Sequence, residues 1–168
     1  MNSLMQQHGD ILKSTQELRG ALLSVLDDSD LAYKLPGDNI TLGQLCQEMG
    51  EVQQSYIDGF KTFKQDFSYR HPDEQIGSSV AALKAWYESL DEALLTVLNG
   101  LSEDDLQKPV DRGHGFAPST GTNFHIYREA LLIFYAKAHL YVKALGKRVP
   151  GQWQWWIGDR MDYENPVM

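Results

Sequence analysis

The stretch TLGQLCQEMGEVQQSYIDGFKTFKQDF, residues 41–67, decides the fold because its apolar residues recur at steps of three and four. Such steps place the side chains on one face of an α-helix. Thr41 and Gln44 have the spacing of a capping box, in which each side chain accepts a hydrogen bond from the other residue's backbone N–H. The sequence therefore predicts a long amphipathic helix that starts at Thr41 and has a core face of Leu42, Leu45, Met49, Val52, Tyr56, Phe60, Phe63 and Phe67.

Three further segments show the same periodicity and predict three more long helices. The first runs from about residue 3 to residue 28, where acidic, turn-forming residues begin. The next long helix after residue 67 has either Ser78 or Ser79 as its cap. The last runs from about Asn123 to Leu145 and stops at Gly146.

Two smaller features complete the predicted architecture. Ser102 is followed by three acidic residues, which is typical of a capped helix start and predicts a short extra helix before Pro109. An aromatic tail, GQWQWWIGD, follows Pro150. With four long helices and no strand signal, the sequence predicts an all-α four-helix bundle, a single domain over residues 1–168.

Composition narrows the range of partners. The 23 acidic and 15 basic residues give a formal net charge of -8, which disfavours binding to a nucleic acid. The chain has no charged start followed by an apolar run and no segment apolar enough to cross a membrane, so we expect a cytoplasmic protein without a membrane partner. The single cysteine, Cys46, cannot form an internal disulfide and has no neighbouring base in the sequence.

Three stretches together resemble the DinB/YfiT-like family of four-helix bundles: TLGQLCQEMGEVQQSYIDGF, LSEDDLQKPVDRG and REALLIFYAKAHLYVKALGK. The resemblance implies a bundle with a long crossover connection, often dimeric. It also implies a divalent-metal site of three histidines between the second and fourth helices. Members of known activity include thiol-dependent transferases and isomerases.

This chain departs from that histidine pattern at every position. Glu48 takes the place of the histidine on the second helix. The two on the fourth helix correspond to Ala130 or Leu131 and to Phe134 or Tyr135, none of which carries an imidazole. A lone carboxylate is a poor ligand set for a transition metal. We therefore expect a degenerate metal site and no cofactor, although zinc or nickel held by a non-standard ligand set stays open.

Other residues could rebuild such a site. His125 and Glu129 stand four residues apart on the fourth helix, and His139 lies farther along it. The helical period, however, points His125 and Glu129 away from the core-facing side that carries Tyr127 and Phe134. We expect them to be exposed or at an interface.

A ligand pocket could instead occupy the place of the metal. Aromatic residues would line it and Glu48 would be its charged group, although aromatic residues at helical spacing are also typical of plain core. The predicted pocket residues are Glu48, Tyr56, Tyr127, Phe134, Tyr141 and Trp153.

The fourth helix is apolar nearly all round, because Leu132, Ile133 and Ala136 interrupt its polar side. Such a helix needs a second cover, which could be a second subunit or the folded-back tail with Trp153, Trp155, Trp156 and Ile157. We expect a homodimer.

Three functions remain open from the sequence. The first is a dimeric, non-catalytic bundle that binds a small molecule or a protein in the former metal pocket. The second is a divalent-metal- or thiol-dependent transferase with Glu48 and unusual ligands. The third is a purely structural bundle with a filled interior. The sequence does not decide whether the protein is an enzyme.

Overall fold

The computed structural model describes residues 1–157; the parts of the predicted domain and tail beyond Ile157 lie outside the described residues. A short 3-10 helix occupies Ile76–Ser78. The described residues contain isolated β-bridges but no strand, and the predicted all-α bundle is confirmed. The α-helices are α1 (Ser3–Ser24), α2 (Asp28–Leu31), α3 (Leu42–Thr62), α4 (Val80–Gly100), α5 (Glu103–Gln107), α6 (Thr120–Ala144) and α7 (Gly151–Ile157).

Four long helices form the bundle. Helix α1 packs against α4 and α6, and α3 packs against the same two helices, so α1 and α3 lie on one diagonal. The buried face of α3 includes Leu42, Leu45, Met49, Tyr56 and Phe60, in agreement with the sequence pattern. No described helix is long and apolar enough to cross a membrane.

The predicted helix starts at Thr41, Ser79 and Ser102 are confirmed. Each of these three side chains accepts a hydrogen bond from the backbone N–H three residues later. Helix α6 begins three residues before the predicted Asn123, because Ser119 caps it and accepts a hydrogen bond from the N–H of Thr122.

Two predicted helix ends are wrong. Helix α1 ends at Ser24 instead of residue 28, since the N–H of Asp27 donates to the carboxylate of Asp30 and so begins the separate helix α2. The apolar stripe of α3 does not continue to Phe67 as helix, because Phe63 adopts a left-handed conformation with φ of 56°. Phe67 is 42 % exposed and its ring lies 5.2 Å from the guanidinium carbon of Arg112.

The tail folds back onto the bundle as α7. The indole N–H of Trp153 donates to the carbonyl of Leu18 over 2.6 Å, and its ring packs on Tyr135 of α6 at a centroid distance of 5.3 Å. Trp153 is 1 % exposed. Helix α7 thus covers the side of α6 that faces α1, while Leu132, Ile133 and Leu140 of α6 stay exposed.

Candidate functional site

An open cleft separates α3 from α6 and holds about 180 Å³. Its walls are mainly apolar, and two ionisable side chains, Glu48 of α3 and Lys137 of α6, stand on opposite walls. The other lining residues are Leu45, Met49, Val52, Ala130, Ile133 and Phe134. A cavity of about 150 Å³ can hold a benzene molecule, so the cleft can take an apolar group of that size.

This cleft lies where the family resemblance places the metal. Glu48 faces Ala130 and Phe134 across it, whereas the alternatives Leu131 and Tyr135 do not line the cleft. Leu131 is fully buried in the core, and the hydroxyl of Tyr135 turns away to donate to the carbonyl of Thr15. One carboxylate opposite a methyl group and a phenyl ring supplies a single donor, which does not fit a transition metal ion.

A second groove of about 510 Å³ continues from the cleft along α3. Glu48 and Val52 line both spaces and form the boundary between them. The groove reaches the exposed side chains of Ile40 and Phe67 at its two ends. Its volume lies within the range of small-molecule sites.

The groove also contains a carboxylate that the sequence reading missed. Glu51 is only 8 % exposed, accepts hydrogen bonds of 3.0 Å from the Gln47 amide and the His71 backbone N–H, and lies 3.7 Å from Arg70 Nε. Its charge is therefore already compensated. Among the described residues Glu48 and Lys137 form no such ion pair, so these two charges are available to a ligand.

The six predicted pocket residues do not share one cavity. Glu48 and Phe134 line the cleft. Tyr56 and Tyr127 pack against each other in the core at a centroid distance of 5.0 Å. Burial raises the pKa of both phenols, and the Tyr127 hydroxyl has no hydrogen-bond partner among the described residues.

The remaining two pocket residues serve local packing. The hydroxyl of Tyr141 donates to the carbonyl of Ile40 over 2.6 Å and ties α6 to the segment before α3. Trp153 lies on the far side of α6, against α1. The helical period alone could not separate Tyr127, Phe134 and Tyr141, because all three face inward from the same helix.

The alternative ligands are also dispersed. The ring of His125 packs edge-on against His8 of α1, with centroids 4.9 Å apart, and His139 stacks on Trp153. Glu129 is exposed, as predicted from the helical period. Among residues 1–157 no three or more His, Cys, Asp or Glu side chains are grouped closely enough to hold a metal ion.

The interior holds a polar cluster that the sequence did not reveal. Arg19 is 1 % exposed, pairs with Asp91 of α4, and donates to the Gln53 amide oxygen of α3. Asp91 Oδ1 also accepts 2.8 Å hydrogen bonds from Gln16 and Gln53. Burial opposes the charge, but the Asp91 carboxylate raises the pKa of Arg19 above its ordinary value. Arg19 stands at helical spacing from Leu12, Leu22 and Leu26, and this interruption of an apolar stripe is the signal that could have marked it as buried.

Cys46 has no access to solvent, and burial raises the pKa of its thiol to about 12. The thiolate is the reactive form of cysteine, so a thiol with this pKa is unreactive near neutral pH.

Comparison with known proteins agrees with the helical fold. A solved structure of a DinB-like protein from Bacillus cereus superimposes with a TM-score of 0.68 at 17 % sequence identity, covering 88 % of this chain and 93 % of the other. At that identity the likeness concerns the fold. No curated protein matches the chain. The family model of the DinB superfamily matches residues 11–133, and the chain therefore belongs to the DinB superfamily.

Proposed function

We propose that this protein is a non-catalytic, dimeric member of the superfamily that binds a small molecule in the cleft between α3 and α6. The observation that carries the proposal is the cleft itself. It lies between the two helices where the family resemblance implies a metal, yet its walls are mainly apolar and its charged groups are one carboxylate and one ammonium.

The cleft and the adjoining groove suggest the chemistry of the ligand. The apolar walls favour a group of about the size of a benzene ring, and the open groove beyond Val52 leaves room for a polar extension. Glu48 stands at the junction without an ion-pair partner among the described residues, whereas Lys137 lines the cleft but not the groove, so a polar extension in the groove meets the carboxylate. A ligand with an aromatic or branched aliphatic group and an adjacent ammonium would satisfy both features.

Protein NMR with small probes tests this proposal. Benzylamine, benzyl alcohol and benzoate have nearly the same ring but carry a positive, a neutral and a negative substituent. We expect the methyl signals of four cleft residues to shift most with benzylamine, less with benzyl alcohol and least with benzoate. These residues are Leu45, Met49, Val52 and Ile133. Glu48→Gln removes the preference for benzylamine while binding of benzyl alcohol continues.

A matched pair of variants locates the binding. Ala130→Phe fills the cleft and abolishes the shifts, whereas Ala81→Phe adds the same ring at an exposed site on α4 and leaves them unchanged. Binding that survives Ala130→Phe, or the absence of any shift at the four cleft residues, contradicts the proposal. The purely structural reading predicts the second of these results.

The same purified protein separates the proposal from the transferase reading. Elemental mass spectrometry after titration with zinc and nickel measures bound metal. Stoichiometric metal that is lost in Glu48→Ala or His125→Ala would favour a metal-dependent transferase and overturn the non-catalytic reading. Under our proposal neither substitution changes the metal content.

Two broader features belong to the same proposal. The exposed apolar residues Leu132, Ile133 and Leu140 of α6 support a homodimer, because a surface of this kind favours a protein contact. A cytoplasmic location and a single domain over residues 1–168 also belong to the proposal, and the net charge of -8 disfavours nucleic acid as a partner. Analytical ultracentrifugation tests the dimer independently of any ligand.

A further inference from the structure

An open groove of about 360 Å³ runs between α1 and α4. It lies on the opposite side of the bundle from the cleft between α3 and α6, and the two spaces share no lining residue. Its volume lies within the range of small-molecule sites. The α1–α4 groove, as we call it, is therefore a separate space that the function proposed above does not use.

The two helices that form the α1–α4 groove are antiparallel. The side-chain amide of Asn2, just before α1, donates to the carbonyl of Leu98 near the end of α4. The backbone N–H of Val80, at the start of α4, donates to the Asp28 carboxylate beyond the end of α1. The start of each helix thus lies beside the end of the other.

The charged residues of the α1–α4 groove follow a simple order. Because the helices are antiparallel, its two lysines lie at opposite ends and its carboxylates lie between them. Among the described residues neither these lysines nor the two glutamates form an ion pair. The middle is thus negative, both ends are positive, and three acidic groups balance three basic ones. The six residues are Glu17, Glu88, Asp91, Lys13, Arg19 and Lys84.

The floor of the α1–α4 groove holds the ion pair between Arg19 and Asp91. Oδ1 of Asp91 accepts the hydrogen bonds from Arg19, Gln16 and Gln53. No described residue donates to Asp91 Oδ2 or to the amide oxygen of Gln16, and both residues line the groove. The side chain of Asp91 is 25 % exposed. These two oxygens are available to the N–H groups of a ligand.

The section of the α1–α4 groove between Asp91 and Lys84 is apolar and open. Leu23 and the ring of Tyr87 line it, and no neighbouring atom lies within 4 Å of the place that a Cβ atom would take at Gly20. Asp91 and Lys84 stand seven residues apart on α4, which is about 10 Å along the helix axis. A ring with charged substituents at its two ends suits a space of this length.

We propose that the α1–α4 groove binds a small zwitterion with an apolar body. Its ammonium donates to Asp91 and Gln16, its body lies against Leu23, and its carboxylate contacts Lys84. Because the charges that line the groove balance, a ligand without net charge fits it better than an ion does. Apolar residues often replace a buried ion pair without loss of stability, so the position of the Arg19–Asp91 pair beside a groove favours a role in binding.

NMR titration of the full chain with three probes tests the charge preference. Para-(aminomethyl)benzoate carries both charges, whereas benzylamine and benzoate each carry one of them on the same ring. We expect the methyl signals of Leu23 and Leu95 to report a Kd for the zwitterion about two- to fivefold lower than that for benzylamine, with benzoate weakest. Equal Kd values for the zwitterion and benzylamine, or tighter binding of benzoate, would overturn the inference.

A matched pair of glycine variants locates the site. Gly20→Leu fills the α1–α4 groove and should abolish the shifts at Leu23 and Leu95. Gly100→Leu adds the same side chain at an exposed position at the end of α4, outside the groove, and should leave the shifts unchanged. Shifts that survive Gly20→Leu, or no shift at the two leucines, contradict this inference. The methyl signals of the cleft between α3 and α6 report separately on the proposed function.

Charge variants test the two contacts of the ligand. Lys84→Gln should raise the Kd of the zwitterion to that of benzylamine, and Lys61→Gln, at an exposed site on α3, is its control. Asp91→Asn should raise the Kd of both amines about tenfold or more, and Glu92→Gln, exposed on α4, is its control. Urea denaturation shows whether Asp91→Asn is folded; if it is not, Lys84→Gln and Gly20→Leu still decide. An unchanged Kd in Lys84→Gln or in folded Asp91→Asn overturns the assigned contacts.

Discussion

The buried Arg19 of α1 and the partly exposed Asp91 of α4 form an ion pair, and Gln53 of α3 donates to the same carboxylate oxygen that Arg19 contacts. The pair joins α1 to α4, and Gln53 adds α3, so the cluster links three of the four long helices. Removing water from two charges is costly, and the pair is stable only while both partners and their hydrogen bonds are present.

Breaking this pair on one side destabilises the fold. Asp91→Ala leaves the Arg19 guanidinium buried without its counter-charge, and we expect the free energy of unfolding to fall by about 3–5 kcal/mol. The double variant Arg19→Met with Asp91→Leu replaces both charges by apolar groups, and its free energy of unfolding should fall much less. Urea denaturation measures both, and equal losses in the single and double variants would contradict the role of uncompensated charge.

Trp153 holds α7 against the bundle, and its loss exposes the faces of α1 and α6 that it covers. Because Trp153 is 1 % exposed and donates a hydrogen bond to Leu18, Trp153→Ala should lower the free energy of unfolding by about 3–5 kcal/mol. Trp155 is 73 % exposed, so Trp155→Ala is the control and changes the stability of the chain little. Similar losses for both tryptophans would show that α7 is not anchored through Trp153.

Gly43 permits the close approach of α3 to the segment before α4. A Cβ atom at position 43 would lie 1.9 Å from the carbonyl oxygen of Gly77, so Gly43→Ala forces the backbone apart and costs about 1–3 kcal/mol or more. Gly20 of α1 has no atom within 4 Å of its Cβ position, and Gly20→Ala should stabilise the helix by about 0.5–1 kcal/mol. Thermal unfolding measures both effects. Gly43→Ala should lower the Tm and Gly20→Ala should raise it if the contact is as described.

His125 makes stability depend on pH. Burial, then the nearby His8 and Arg128, lower its pKa below the ordinary value of 6.5, although Glu129 opposes the shift. Below pH 6.5 the unfolded chain therefore binds a proton more readily than the folded protein does. The contribution of the neutral His125 ring to the free energy of unfolding is therefore complete above pH 6.5. It declines as the pH falls toward the folded-state pKa.

Denaturation at about pH 7.5 and about pH 5.5 measures this effect. His125→Asn should lose less stability between the two conditions than the wild type. His114→Asn removes an exposed imidazole from the loop before α6 and should keep the wild-type difference. An NMR titration in which the His125 ring has a pKa above 6.5 would contradict the assignment.

The sequence alone determined the helices and the family. The steps of three and four from Leu42 to Phe60 were sufficient to place α3, and the caps at Thr41, Ser79 and Ser102 fixed three helix starts, because both signals are local and depend on neighbouring residues only. Where the local signal was ambiguous the prediction failed. Asp27 belongs to the cap of α2 rather than to α1, and Phe63 ends α3 although the apolar stripe continues to Phe67.

Only the tertiary structure decided which inward-facing residues meet. It brought Glu48, Ala130 and Phe134 to one cleft, added Lys137 from the edge of α6, and separated Trp153 from them. It also buried Arg19 beside Asp91, although those two residues lie far apart in the chain. Helical periodicity gives the direction in which a side chain points around the axis of its helix. A site depends also on how two helices are rotated and shifted against each other. That relation is set by packing of the whole core, which no local stretch of sequence contains.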